Sequence, residues 1–212
     1  EVRRRFVQES RSLPKLPSSA QRGIPSRWPD QFQPRINGAI NRGVTRLIEM
    51  QARDGSWGQH HPKYRSGMTV LATYALLKSG VSVAHPSVQA GLRFIYQEEP
   101  SHTYTAGVAM MLLRHLIEHG DPNNKALYME RAERIVDRLL EWERRDPDTG
   151  WAYPEGNYDL SCTQYAALAL WSAHELGIKT PRNVYVRMIN GLHKHYGGLE
   201  GEFPAAPGGG LK

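Results

Sequence analysis

RGVTRLIEMQARDGSWG, residues 42–58, is the stretch whose reading decides the fold. Val44, Leu47 and Ile48 recur at helical spacing, so an amphipathic helix runs up to Gln51, and an Asp-Gly turn delivers Trp57 just beyond it. The spacing of Gly43, Leu47, Ile48, Gln51, Gly55 and Trp57 has a physical use. A glutamine amide at a helix end bonds backbone groups left open at a neighbouring helix end, while an indole covers the junction. A helical hairpin clamped at its turn is therefore expected, which speaks to fold and leaves chemistry open.

Outward from this stretch, helical periodicity runs from Ile36 to about Tyr196. The apolar stripes predict seven helices, over 35–51, 66–78, 86–98, 102–119, 124–144, 160–176 and 182–196. The clamp recurs: Leu139 and Leu140 with Glu143, Gly150 and Trp151 repeat Leu47 and Ile48 with Gln51, Gly55 and Trp57 after about 92 residues, or two periods of about 46. Phe94 and Ile95 stand near the midpoint, but their loop lacks the Gly-x-Trp. Alternate helices each close on a glycine followed by a proline, at Gly80 and Pro86, Gly120 and Pro122, and Gly177 and Pro181. Hairpins of this length cannot bury their own stripes and must stack on one another.

With 212 residues and 40% hydrophobic content, one core and one domain spanning 35–196 are expected. Residues 1–34 form a basic, Pro-rich arm, in which Arg3, Arg4, Arg5, Arg11, Lys15, Arg22 and Arg27 face only Glu1, Glu9 and Asp30 and Pro34 is one of five interrupting prolines. Trp28 and Phe32 are expected to pin its end. The tail at 197–212 is Gly/Pro-rich and expected to be irregular. No run of about 18 apolar residues occurs, so no membrane-spanning helix is expected. The first residues lack the apolar core of a signal peptide, although a signal removed earlier would leave the same chain, so the compartment stays open. One cysteine, Cys162, excludes an internal disulfide and a Cys-rich zinc module. The net charge of +6 favours weak attraction to polyanions, but no basic stretch is interleaved with aromatics, so no specific nucleic-acid partner is expected.

The spacing from Gly43 to Trp57 resembles the QW motif repeated in squalene-hopene cyclases. Residues 150–178, GWAYPEGNYDLSCTQYAALALWSAHELGI, are similar to repeats of the wider prenyltransferase and squalene-cyclase superfamily in its bacterial members. The matching positions are Gly150, Trp151, Tyr153, Asp159, Ser161, Thr163, Gln164, Tyr165, Ala166, Leu168, Leu170 and Trp171. The resemblance implies an α/α toroid with the even helices in an inner ring. With about half the helices of a closed ring, the chain is expected to be a partial toroid, to self-associate, or to pair with a second half.

The resemblance also implies where catalysis would sit. The acid motif of class II cyclases, Asp-x-Asp-Asp-Thr, aligns with Asp159, Leu160, Ser161, Cys162 and Thr163. Neither a hydroxyl nor a thiol is acid enough to protonate an alkene. The Asp-x-Cys zinc ligands of protein prenyltransferases align with Asp159 and Ser161, leaving Cys162 one place late and turned about 100° away. No metal, cofactor or catalytic residue is therefore expected. Asp159, Ser161 and Thr163 suit a helix cap, and with Gln164, Tyr165, Tyr74 and Trp171 they are the candidate ligand-facing set. His60 and His61, and single histidines such as His102, His115, His119 and His174, read as solvated or packed. Glu155 and Asp159 form a loose carboxylate pair on a loop. No phosphate loop, nucleophile elbow or Gly-Cys-Gly-Glu-Gln thioester occurs. Three functions stay open: a non-catalytic module for an apolar ligand or peptide, a divergent enzyme on isoprenoids, and a lyase acting on an acidic polysaccharide.

Overall fold

A computed structural model describes residues 32–144, 149–153, 156 and 158–196. The arm apart from its last three residues, including Trp28, lies outside the described residues, as do the tail and Glu155. Seven α-helices make up the described part: α1 (Gln33–Met50), α2 (Arg65–Lys78), α3 (Pro86–Gln97), α4 (Thr103–His119), α5 (Lys125–Trp142), α6 (Leu160–Glu175) and α7 (Arg182–Tyr196). Short 3-10 turns precede α2 and α5, and no strand occurs among the described residues beyond an Arg144–Gly150 bridge. Pro34 does not interrupt structure. It sits in the first turn of α1, where a missing N–H costs nothing.

The helices alternate in character. The odd ones present one apolar stripe, as Val44 and Ile48 do on α1, and keep the other face polar. The even ones are buried on most sides: α4 alone buries Thr103, Thr105, Ala106, Gly107, Val108, Ala109, Met110, Leu112, Leu113 and Leu116. α4 is the centre of the packing, touching α2 on one side and α6 on the other, with α5 against it as well; α3 packs on α2. Small residues set these approaches. A Cβ on Gly67 would lie 2.7 Å from the Thr105 hydroxyl, and one on Gly107 would lie 2.7 Å from the Tyr165 carbonyl oxygen.

All three even helices close at the expected glycines, two of them left-handed and the third not. Gly80 and Gly177 adopt φ of 88° and 79°, and the amides that follow return to Leu76 and Ala173. Gly120 has φ of −89°, so it is no left-handed cap. There Asp121 takes over, its carboxylate accepting from the Asn123 amide as the 3-10 turn begins.

The described residues include no helix long and apolar enough to cross a membrane.

Trp57 and Trp151 are 4% and 0% exposed. Replacing either with alanine is expected to cost about 3–5 kcal/mol in urea unfolding. Gly107→Ala, which pushes a methyl into backbone on α6, is expected to cost about 1–3 kcal/mol.

Candidate functional site

Two clamped turns hold the starts of α2 and α6. The Leu47 carbonyl lies in the last turn of α1, where no helical N–H reaches it, and the Trp57 indole N–H donates to it at 2.8 Å. The Trp57 amide donates to the Thr69 hydroxyl of α2 at 3.0 Å, and that hydroxyl donates to the Arg65 carbonyl at 2.8 Å. The second unit repeats each bond. The Trp151 indole donates to the Leu139 carbonyl at 2.8 Å, its amide donates to the Thr163 hydroxyl at 3.1 Å, and Thr163 donates to the Asp159 carbonyl at 2.9 Å.

Gln51 and Glu143 hold equivalent places with opposite polarity. The Gln51 amide donates to the carbonyls of Gly55 and of Ser87 on α3, at 2.9 and 2.8 Å. The Glu143 carboxylate, buried, accepts two bonds from the Arg187 guanidinium of α7, at 2.7 and 2.6 Å. Gly55, with φ of 88°, lets the first turn press onto α3, since a Cβ there would meet the Ala90 carbonyl at 2.3 Å. Gly150, with φ of 143°, brings the second turn equally close to Tyr158 and Thr163.

The middle unit, which lacks the Gly-x-Trp, is closed by a residue that sequence reading passed over. Arg131 of α5 is buried and donates to the carbonyls of Ile95, Tyr96 and Glu98 at 2.7, 3.2 and 2.5 Å. A guanidinium thus does for the end of α3 what an indole does for α1 and α5. Burial lowers its pKa from the ordinary arginine value. One signal in the sequence pointed to it: an arginine set within the apolar stripe of Tyr128, Ala132, Ile135 and Leu139.

Three of the candidate residues are engaged at the start of α6. The Asp159 carboxylate caps the helix, accepting from the Cys162 amide at 2.7 Å and from the Ser161 hydroxyl at 2.5 Å. The serine bond, followed by the Cys162 amide, holds its carboxyl below the usual range, so it stays ionised. Thr163 is buried in the Trp151 junction. Cys162 is buried too, and burial followed by the neighbouring Asp159 pushes its thiol up to about 12, which leaves it neutral and unreactive.

The other candidates lie on the outward stripes of the even helices. Met68, Leu71 and Tyr74 follow one another on α2; Tyr104, Met111 and His115 on α4; Gln164, Leu168 and Trp171 on α6. Contacts between the helices join these stripes into one open face. Tyr104 and Tyr165 meet with ring centroids 4.0 Å apart, and Tyr74 meets His115 edge-on at 6.2 Å. Trp171, 53% exposed, lies under the Arg114 guanidinium at 4.5 Å, which also reaches Glu118 and Glu175.

At the end of this face nearest the clamped turns is a depression of about 310 Å³, lined by Tyr64, Gly67, Met68, Leu71, His102, Tyr104, Thr105 and Tyr153. Among the described residues, its lining includes no carboxylate, lysine or arginine. Tyr64, Met68 and Leu71 were not candidates in the sequence, because an exposed apolar residue beside buried neighbours reads as more core. His102, which caps no group of α4 with its side chain, separates this depression from a second one of about 420 Å³ beside Glu141, Trp142, Glu143 and Arg144.

Compared with known protein families, with curated proteins and with solved structures, the chain has no match in any of the three.

Asp159→Ala removes the α6 cap and is expected to cost about 1 kcal/mol at neutral pH. Because the folded carboxyl titrates below its ordinary value of 3.8, its stabilisation is present above that pH and lost as pH falls through the folded pKa. The difference between wild type and Asp159→Ala, followed by urea unfolding, should therefore shrink at pH below about 4.

Proposed function

We propose that this chain is a divergent relative of the cyclase and prenyltransferase repeat proteins, its helical hairpins forming part of an α/α toroid, and that it is a binding module for an apolar small molecule. The kinship rests on the residues quoted above together with the paired junctions, in which each tryptophan donates its indole N–H to a last-turn carbonyl of one helix and its backbone amide to a threonine of the next. The observation that carries the function is the aromatic and apolar depression on the even helices. Tyr64, Met68, Leu71 and Tyr153 leave apolar surface exposed there that no other described element covers. Its volume sits at the small end of the range of ligand pockets.

The other two readings find less support. A cyclase acid must be held protonated, whereas Asp159 is drawn toward the ionised form by its serine and amide donors. A lyase groove needs uncommitted cations, whereas Arg65 pairs with Asp54, Arg114 with Glu118 and Glu175, and Arg187 with Glu143.

Farnesol serves as the probe of the apolar face. Calorimetric titration should show saturable binding that Leu71→Asp weakens about tenfold or more, a loss of at least about 1.4 kcal/mol. Because Leu71 is exposed, the same variant should unfold within about 0.5 kcal/mol of wild type. No heat with farnesol, together with a dimer that Leu71→Asp converts to a monomer in sedimentation velocity, would overturn the reading and assign the face to a second copy.

A further inference from the structure

The open face carries a second feature, at the opposite end of α4 from the apolar depression. His115 and His119 stand one turn apart on this helix, a spacing that stacks two side chains on one face. Their ring centroids lie 4.9 Å apart with the planes inclined by 59°. When two imidazoles bind one ion, each nitrogen sits about 2.1 Å from the metal and each ring centre roughly 1.1 Å further out, so angles of about 90–110° at the metal place the centroids about 4.5–5.2 Å apart. The two rings already have the separation that a shared ion requires.

From this geometry we infer that His115 and His119 form a two-nitrogen chelate for a divalent late transition metal, of the class of Zn²⁺, Ni²⁺ and Cu²⁺. Neutral imidazole suits these ions, and carboxylate or carbonyl sites suit Mg²⁺ and Ca²⁺ instead. One further feature favours the pair. Glu118 lies between the two histidines in sequence; its carboxylate accepts from Arg114 Nε at 2.7 Å and stands 3.7 Å from His119 Nε2, adding negative charge beside the site without facing it alone.

The backbone needs no rearrangement to present the pair, because both residues belong to the helix on which α2, α5 and α6 all pack. Among the described residues no set of three or more His, Cys, Asp or Glu side chains is placed to hold an ion. The chelate is therefore bidentate, and its remaining positions are open to water or to a donor atom of an incoming molecule.

Calorimetric titration of the full chain with NiCl₂ at pH 7.5 tests the inference. Wild type should bind one ion per chain at this site, with an affinity that His115→Gln and His119→Gln each reduce at least tenfold. Both variants should melt at the wild-type temperature without metal, since His119 is exposed and His115 half-buried. The double variant His60→Gln/His61→Gln, which removes the other adjacent pair, should bind as wild type does. Cu²⁺ should bind more tightly than Ni²⁺, and its electron paramagnetic resonance spectrum should show coupling to two nitrogens in wild type and one in either single variant. Unchanged affinity in both single variants, or its loss in the His60/His61 variant alone, would overturn the inference.

Discussion

Everything in this fold depends on how the last-turn carbonyls of its odd helices are satisfied. A helix leaves four carbonyls without intrahelical partners at its end, and one buried without a partner costs about 1–3 kcal/mol. Here the last-turn carbonyls of α1, α3 and α5 are met by side chains from outside each helix. The Trp57 and Trp151 indoles supply a donor at α1 and α5, and the Arg131 guanidinium supplies one at α3. An indole suits the task because its single N–H sits on a large apolar body that fills the gap between helices. The guanidinium satisfies three carbonyls at once and lies 5.0 Å from the Tyr96 ring, at the cost of burying a charge.

Each tryptophan junction also fixes the entry of the following even helix. Thr69 and Thr163 receive the tryptophan amides and pass their own protons to carbonyls one turn back, so the hairpin turn and the start of the next helix form one bonded unit. Asp159 extends that unit at α6 with its cap. With the entries held, glycines at 67 and 107 let α2, α4 and α6 approach closely, and their third faces are left side by side in the open. The aromatic depression and the His115–His119 pair are two regions of that one surface, apolar near the turns and polar at the far end.

Much of this was legible in the sequence. The seven helices fall within three residues of their expected ends, because apolar stripes at helical period and Gly-Pro stops are local signals that tertiary context did not override here. The repeat of Trp57 at Trp151 was legible for the same reason. Gly120 ends α4 as expected, but not as a left-handed cap, since the Asp-Pro that follows offers a competing way to finish the helix. Arg131 was passed over because a guanidinium is taken for surface unless its partners are known, and its partners are backbone carbonyls, which no sequence pattern marks.

The amino-acid order by itself determined that the described residues are helical, where the helices start and stop, and that Asp159 would cap α6, whereas the Ser161 hydroxyl turned out to donate to that carboxylate and Thr163 to join the Trp151 junction. Those outcomes follow from propensity, periodicity and capping, which act over a few residues. Only the tertiary structure decided which apolar residues stay outside. Leu71 and Leu76 are alike in composition and both sit on α2, yet the first is exposed and the second fully buried, because α4 packs on one side of that helix, α3 on another, and nothing described covers the third. Burial of a side chain is a property of its neighbours across the fold, and those neighbours lie far away in the chain.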